Sequence, residues 1–255
     1  MDWKRFGFIA LIITVLFGVV VMVGQVKQPP LLIITSMLAT TIAVATPLTL
    51  GALSGVFCER AGVVNIGIEG MMLTAAFFGW LGAIYMFHIF GLGNGISIAL
   101  GVLFAIITGG LMALLHAMLS ITFKVDQIIG GTVINILAVG LTGFLNRQLF
   151  FGKGSVFGGS VPSSAGVLPT IHVPITELFT SICGSSATCL ENVQAINRVF
   201  DQKPIAMGAI LLVFISHYIL FNTRWGLRTR AVGEHPKAAD TVGINVVKMR
   251  YANVV

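Results

Sequence analysis

Charge is what this sequence has least of. Lysine and arginine number 15 and aspartate and glutamate nine in 255 residues, so 9% of the chain is charged while 56% is hydrophobic. An ordinary soluble domain has about a quarter of its residues charged, so the shortage excludes one. Three cysteines, at 58, 183 and 189, say little about the redox compartment. Several chemical patterns are missing as well. No Gly-x4-Gly-Lys-Ser/Thr phosphate loop occurs; Gly152-Lys153-Gly154 lacks the hydroxyl neighbour and the upstream glycine, so no ATP hydrolysis is expected of this chain. No HExxH or paired-carboxylate spacing supports an intramembrane enzyme using Glu59 or Glu69 with a histidine. His88, His116 and His217 lack a second ligand three or four residues away, so neither metal nor cofactor is expected.

What is present is apolar length. Charge-free runs cover about 6–26, 31–50, 71–90, 96–123, 128–146 and 204–221. Each is in the range that crosses a bilayer as a helix. The fold class is therefore an all-α polytopic membrane protein with about six spans in a single transmembrane domain over 1–255. The first run is long for a secretory signal, and no small-x-small cleavage site follows it. The run 96–123 would reach ~42 Å at 1.5 Å per residue, which predicts tilting, a kink at Gly109–Gly110 or projection beyond the membrane. Only Lys-Val-Asp-Gln at 124–127 separates it from the next span, which forces a tight antiparallel hairpin.

The stretch GALSGVFCERAGVVNIGIEGMM at 51–72 fits neither span nor loop. It carries Glu59, Arg60, Asn65 and Glu69 among glycines at 51, 55, 62, 67 and 70. That glycine density predicts a broken or re-entrant segment, which membranes tolerate only where it is buried in protein or lines a wet cavity. Glu59 and Glu69 would need Arg60, backbone amides or another subunit as partners. Ahead of it, Thr35, Ser36, Thr40, Thr41, Thr46 and Thr49 cluster with Pro47 in one span. The cluster suggests a helix facing protein or a pathway, although each hydroxyl alone can bond to its own backbone. His116 and Asn135 read as hydrogen-bonded packing residues.

With the N-terminus inside, ten cations fall in inner segments and five in outer ones. The positive-inside bias thus makes the N-terminus and the basic 224–250 segment cytoplasmic. The loop at about 147–203 is then external. It opens with the Gly/Ser-rich run FGKGSVFGGSVPSSAG, a flexible surface by composition, followed by helical patterning at 176–182 and 190–200. Cys183 and Cys189 lie in this loop, where a disulfide is feasible. In TRWGLRTRAVGEHPKAADTVGINVVKMR, Pro236 suits a helix start and Gly243 its stop, predicting a short helix over Pro236–Val242. Arg228, Arg230, Glu234 and Lys237 flank it, and a helix so held is a natural docking knob for a soluble partner.

The central stretch, extended to Leu73, resembles the signature of inner-membrane permease subunits of ABC importers. The branch is that of ribose, branched-chain amino acid and nucleoside uptake, and the likeness is greatest to nucleoside and related purine or riboflavin permeases. TRWGLRTRAVGEHPKAADTVGINV resembles the coupling segment of the same subunits. The resemblance implies an inner-membrane permease working with a separate ATPase, a second permease subunit and an extracytoplasmic substrate-binding protein, in membrane lipid and without nucleic acid. Its solute would be a nucleoside, with riboflavin, sugar or a branched-chain amino acid as alternatives; a secondary transporter or channel is the alternative class. It implies that Glu59, Arg60, Asn65 and Glu69 form the core motif near the translocation path. Arg228, Arg230, Gly233, Glu234, Pro236, Ala238, Ala239 and Gly243 would couple to the ATPase. Ala238 and Ala239 are both expected in the ATPase seat. The Cys183–Cys189 loop is not a recognised feature of that family. Members continue through further spans, so the chain is expected to be a fragment or a shortened subunit.

Overall fold

The structure is a computed structural model that describes residues 29–151, 154, 156, 157, 159, 161, 162, 166–170 and 187–255. The span expected at 6–26, the patterning at 176–182 and Cys183 lie outside the described residues. Among the described residues, five helices are long and apolar enough to cross a membrane. Four occupy consecutive stretches broken by short connections: α1 (Pro30–Arg60), α2 (Ile68–His88), α3 (Asn94–Ala117) and α4 (Gln127–Asn146). They are followed by α5 (Ala187–Phe200), the fifth span α6 (Pro204–Asn222), and three short helices, α7 (Arg224–Glu234), α8 (Pro236–Thr241) and α9 (Val246–Val254).

The chain divides into two compact units, one of residues 1–45 and 170–207 and the other of 46–169 and 208–255. In the first, Val193 and Ala195 of α5 are buried. Gln202 closes α5 with a bond from Nε2 to the Val199 carbonyl at 3.1 Å and reaches the Ala39 carbonyl at 3.5 Å. The hydroxyls of Thr35, Ser36, Thr40 and Thr41 all donate to carbonyls of their own helix. Thr40 and Thr41 are exposed, so at these two positions the hydroxyl saves a polar atom from apolar surroundings. Cys189, on α5, is disulfide-bonded.

In the second unit α2 is the central element, packed along α3 and against α4. Its seam with α3 is built from small residues. A Cβ on Gly79 would lie 2.8 Å from the Ala105 Cβ, and one on Gly101 would lie 2.7 Å from the Gly79 carbonyl oxygen. Helices in lipid gain little from apolar contact alone, so close backbone approach of this kind supplies the packing. A third of the most apolar window of α2 is buried, 33%, against 6% for α1. The outer side of α1 is thus left for lipid or protein.

α3 keeps α-helical winding through Gly109 and Gly110 and changes only at Met118–Thr122, a π-helical turn. The expected irregularity therefore sits at the end of the long helix, not at its glycine pair. Lys124 then takes a left-handed backbone, φ 54°, and Asp126 caps α4 by accepting from Ile128 N at 2.9 Å and Ile129 N at 3.1 Å. The tight hairpin follows from these two residues. Beyond α4, the described residues of the Gly/Ser-rich run are mostly exposed, with half-buried Phe157 its contact with the helices. Phe150 is fully buried, 5.2 Å from Trp80 of α2 and stacked on Phe157 at 5.1 Å. The surface expected from composition thus holds for most of the described run, and Phe157 is the point where it packs.

Candidate functional site

The segment expected to break over 51–72 stays helical far longer than its glycines suggest. α1 runs through Gly51 and Gly55 to Arg60, and the non-helical backbone is confined to Ala61–Gly67. The reason is packing. A Cβ on Gly51 would meet Met72 Sδ at 3.0 Å and Ile68 Cγ2 at 3.3 Å, and one on Gly55 would meet Ile68 Cδ1 at 3.4 Å. These two glycines let α2 lie close on α1 rather than interrupt it.

Gly62 makes the actual stop. With φ +76° it takes the left-handed position after the helix, its N–H donates to Glu59 O at 3.0 Å, and Val63 N donates to Cys58 O at 3.0 Å. This pair of reversed bonds satisfies two carbonyls that the helix end leaves open. The rest of the loop is wired group by group to other helices. Val64 N donates to Gln127 Oε1 at 2.7 Å, and Val64 O lies 3.3 Å from His116 Nε2. Ile66 O accepts from Asn135 Nδ2 at 3.1 Å. Asn65 is buried; its Oδ1 accepts from Gly67 N at 3.0 Å, while its Nδ2 faces Met71 Sδ at 3.6 Å and Cys58 Sγ at 3.9 Å. Asn135 also caps α2 from a distance, its Oδ1 accepting from Gly70 N at 2.8 Å. Gly67 and Gly131 meet backbone to backbone: a Cβ on Gly131 would lie 2.8 Å from the Gly67 nitrogen, while one on Gly67 would be tight against Ile134 Cγ2 at 3.3 Å. Buried backbone that is not helical is costly unless each donor and acceptor finds a partner, and these side chains are the partners.

The second face of the loop is covered by the 224–250 segment. Gly233, at the end of α7, packs on Gly62 so closely that a Cβ there would overlap the Arg60 carbonyl. Arg250 Nε donates to Ala61 O at 3.3 Å. Beneath them Cys58, Val63, Ala117 and Val254 form a small core with Ile121 and Tyr251. Thr229 and Asn253 pair inside, with Asn253 Nδ2 donating to Thr229 Oγ1 at 3.2 Å and to Met249 O at 2.7 Å.

The short helix α8 spans Pro236–Thr241, with proline in its first turn and Val242 as its cap. Its C-terminal end repeats the stop of α1: Gly243 at φ +82°, Gly243 N on Asp240 O at 2.9 Å and Ile244 N on Ala239 O at 3.1 Å. Of the two alanines expected in the ATPase seat, Ala238 is exposed, whereas Ala239 is only 3% exposed and packs within the segment. Sequence showed two adjacent alanines; a helix turns them 100° apart. Val242 is the most exposed apolar residue of the segment, at 74%, with Leu227 at 61% and Val247 at 55%.

The predicted residues thus fall into two kinds. Asn65 and Gly233 are structural centres of the junction, whereas Glu59, Arg60 and Glu69 are exposed at the two helix ends that flank it. Among the described residues neither carboxylate pairs with Arg60. Glu69 lies in the first turn of α2, where a negative charge suits the helix dipole. Arg60 lies 5.9 Å from the Phe221 ring, and Arg230 lies 5.2 Å from the same ring. Arg228 and Glu234 are exposed. Sequence reasoning missed Gln127 and Arg250. Their signal was only that each is polar and adjoins an apolar span, which does not reveal the distant carbonyl or amide it serves. Between α1, α2 and α3 lies a cavity of about 410 Å³ lined by Pro47, Gly51, Ser54, Met71, Met72 and Gly109. It has room for a small solute, but Ser54 offers its one polar side chain.

Three curated relatives share most of this chain. A guanosine ABC transporter permease protein of Bacillus subtilis is 40% identical over 87% of the chain and 63% of its own length. A nucleoside ABC transporter permease protein of Lactococcus lactis subsp. cremoris is 34% identical over 85% of the chain and 61% of its own. A putative glucose ABC transporter permease protein of Haloferax volcanii is 33% identical over 86% and 58%. The chain spans somewhat under two thirds of the length of these relatives. No solved structure matches it. The model of the family described as branched-chain amino acid transport system / permease component matches residues 37–255. With its spans, its wired loop and this match, the chain is a multi-pass membrane protein and belongs to that permease-component family.

Proposed function

We propose that this chain is the membrane permease subunit of an ATP-binding cassette importer and that its solute is a nucleoside. The observation that carries the reading is the direct seating of the 224–250 segment on the Ala61–Gly67 loop through Gly233 and Gly62. A cytoplasmic ATPase that moves α8 would move the loop and, through it, α2, α3 and α4, without an intervening flexible side chain. Only a contact whose energy differs between two states can transmit such a change, and a backbone-to-backbone seat has little slack to absorb it. Arg228, Glu234, Pro236, Ala238 and Gly243 would present α8 to the ATPase, with Ala239 and Gly233 holding it from behind. Glu59 and Glu69 would face the pathway or a second permease subunit. The single hydroxyl in the cavity also favours a pair of permeases, since a polar solute needs more hydrogen-bonding groups than this chain places there.

The substrate class rests on the relatives named for guanosine and nucleoside transport. The relative named for glucose keeps a sugar as the second reading. The subunit would sit in the bacterial cytoplasmic membrane with its N-terminus inside and would receive solute from an extracytoplasmic binding protein. A Cys183–Cys189 bridge on that outer side is part of the same proposal. The test is uptake by cells expressing the full-length protein with its ATPase, partner permease and binding protein. Labelled guanosine should enter in an ATP-dependent way and glucose should not compete. Uptake that survives loss of the ATPase, or competition by glucose alone, would overturn the reading.

A further inference from the structure

α1 and α6 are both long enough to cross a membrane, and they finish side by side: Arg60 ends α1 and Phe221 stands one residue before the end of α6. The Phe221 ring is shared by two guanidinium groups, Arg60 at 5.9 Å from one helix end and Arg230 at 5.2 Å from α7. Two like charges held on one ring repel each other, and the ring face offsets only part of that cost. No carboxylate pairs with either arginine among the described residues. The Nε of Arg230 is buried and has no hydrogen-bond partner. A guanidinium carries five N–H donors in a planar fork, so two of them beside one ring bring many donors to the same pair of helix ends. The group that answers this arrangement is an oxyanion with several acceptors, and arginine forks suit phosphate geometry. Its depth narrows the source. Phe221 is 44% exposed at the end of a spanning helix, where the phosphates of a bilayer lie.

We infer that Arg60, Phe221 and Arg230 form a binding site for the phosphate of an anionic phospholipid, with the guanidiniums on the phosphate and Phe221 against the upper acyl chain. The site is separate from the ATPase-facing surface: Arg228 is exposed, while Arg230 is turned to the helix ends. A lipid held there clamps the end of α1 to the end of α6 and to α7, beside the Gly62–Gly233 junction. The inference does not depend on which solute is carried.

Native mass spectrometry of the full-length protein from detergent, with added phosphatidylglycerol, phosphatidylcholine or inorganic phosphate, provides the test. One phosphatidylglycerol should remain bound under conditions that strip phosphatidylcholine. Each of Arg60→Gln and Arg230→Gln should weaken its retention roughly fivefold, as expected for one basic residue near an anionic headgroup. Arg228→Gln should leave retention unchanged. Equal retention of phosphatidylcholine, or retention that survives the double substitution, would overturn the site. Inorganic phosphate binding as well as the lipid would make it a free-anion site instead. Loss of ATPase binding with lipid retention intact would reassign the arginines to the partner subunit. Should the glutamine variants fail to fold, Phe221→Leu, at an exposed ring, should still weaken phosphatidylglycerol retention relative to wild type, and unchanged retention there would overturn the proposal.

Discussion

Two glycine-closed helix ends of this chain stop in the same way and sit in opposite surroundings. Ala61–Gly67 and the turn around Gly243 are both closed by a left-handed glycine with the same pair of reversed hydrogen bonds. In the first, the residues after the glycine meet protein on several sides, and side chains from α3 and α4 take up the backbone groups. In the second, one side packs through Ala239 while Ala238, Thr241 and Val242 remain bare. The same local stop therefore leads into a hydrogen-bonded junction in one place and an exposed turn in the other. Local turn chemistry sets how the chain ends a helix, and tertiary partners set what the end is for.

The contrast is broken most severely at the seat between the two regions. Gly233→Val would drive a branched side chain into the Arg60 carbonyl, an overpacking that should cost about 3 kcal/mol, the upper end for such changes. A fall in thermal unfolding temperature in detergent, together with loss of transport by whatever protein still inserts, is the expected result. Wild-type stability would mean the two segments do not bear on each other. A smaller effect tests the wiring of the buried loop alone. Asn65→Ala leaves the Gly67 N–H without its acceptor and opens space beside Met71, for a loss of about 2 kcal/mol. Denaturant or thermal melts should show it, and a loss under about 0.5 kcal/mol would place water or another group at that donor. The smallest stability effect belongs to α8. Ala238→Arg, on an exposed position, should change stability by less than about 0.5 kcal/mol. It should nonetheless remove ATPase co-purification and uptake, and normal uptake would end the docking role of α8.

These outcomes bear on how much of the molecule could be read in advance. The five described spans were legible because bilayer length and the absence of charge are properties of a run, and runs survive without tertiary knowledge. The start and stop of α8 were legible for the same local reason, through Pro236 and Gly243. The extent of the central break was not. Gly51 and Gly55 carry the same composition signal as Gly62 and Gly67, yet they are helical because Ile68 and Met72 lean on them. Asn135 and His116 read correctly as hydrogen-bonded packing residues, but nothing in their positions named Ile66 and Val64 as partners. The face of α8 was half legible: the helix was evident, and which alanine looks outward depended on α7 and α9.

The wiring of the Ala61–Gly67 loop also sets an order of events during synthesis. The groups that complete it arrive late: His116 lies 52 residues beyond its partner carbonyl, Gln127 63 beyond its amide, and Arg250 189 beyond the Ala61 carbonyl. A chain emerging from its N-terminus therefore inserts α1 and α2 with their connection still unsatisfied. Entry of the α3–α4 hairpin supplies its first partners. Among the described partners the latest is Arg250, made only when translation has passed the 224–250 segment, so the stretch that packs on the loop through Gly233 also completes these hydrogen bonds.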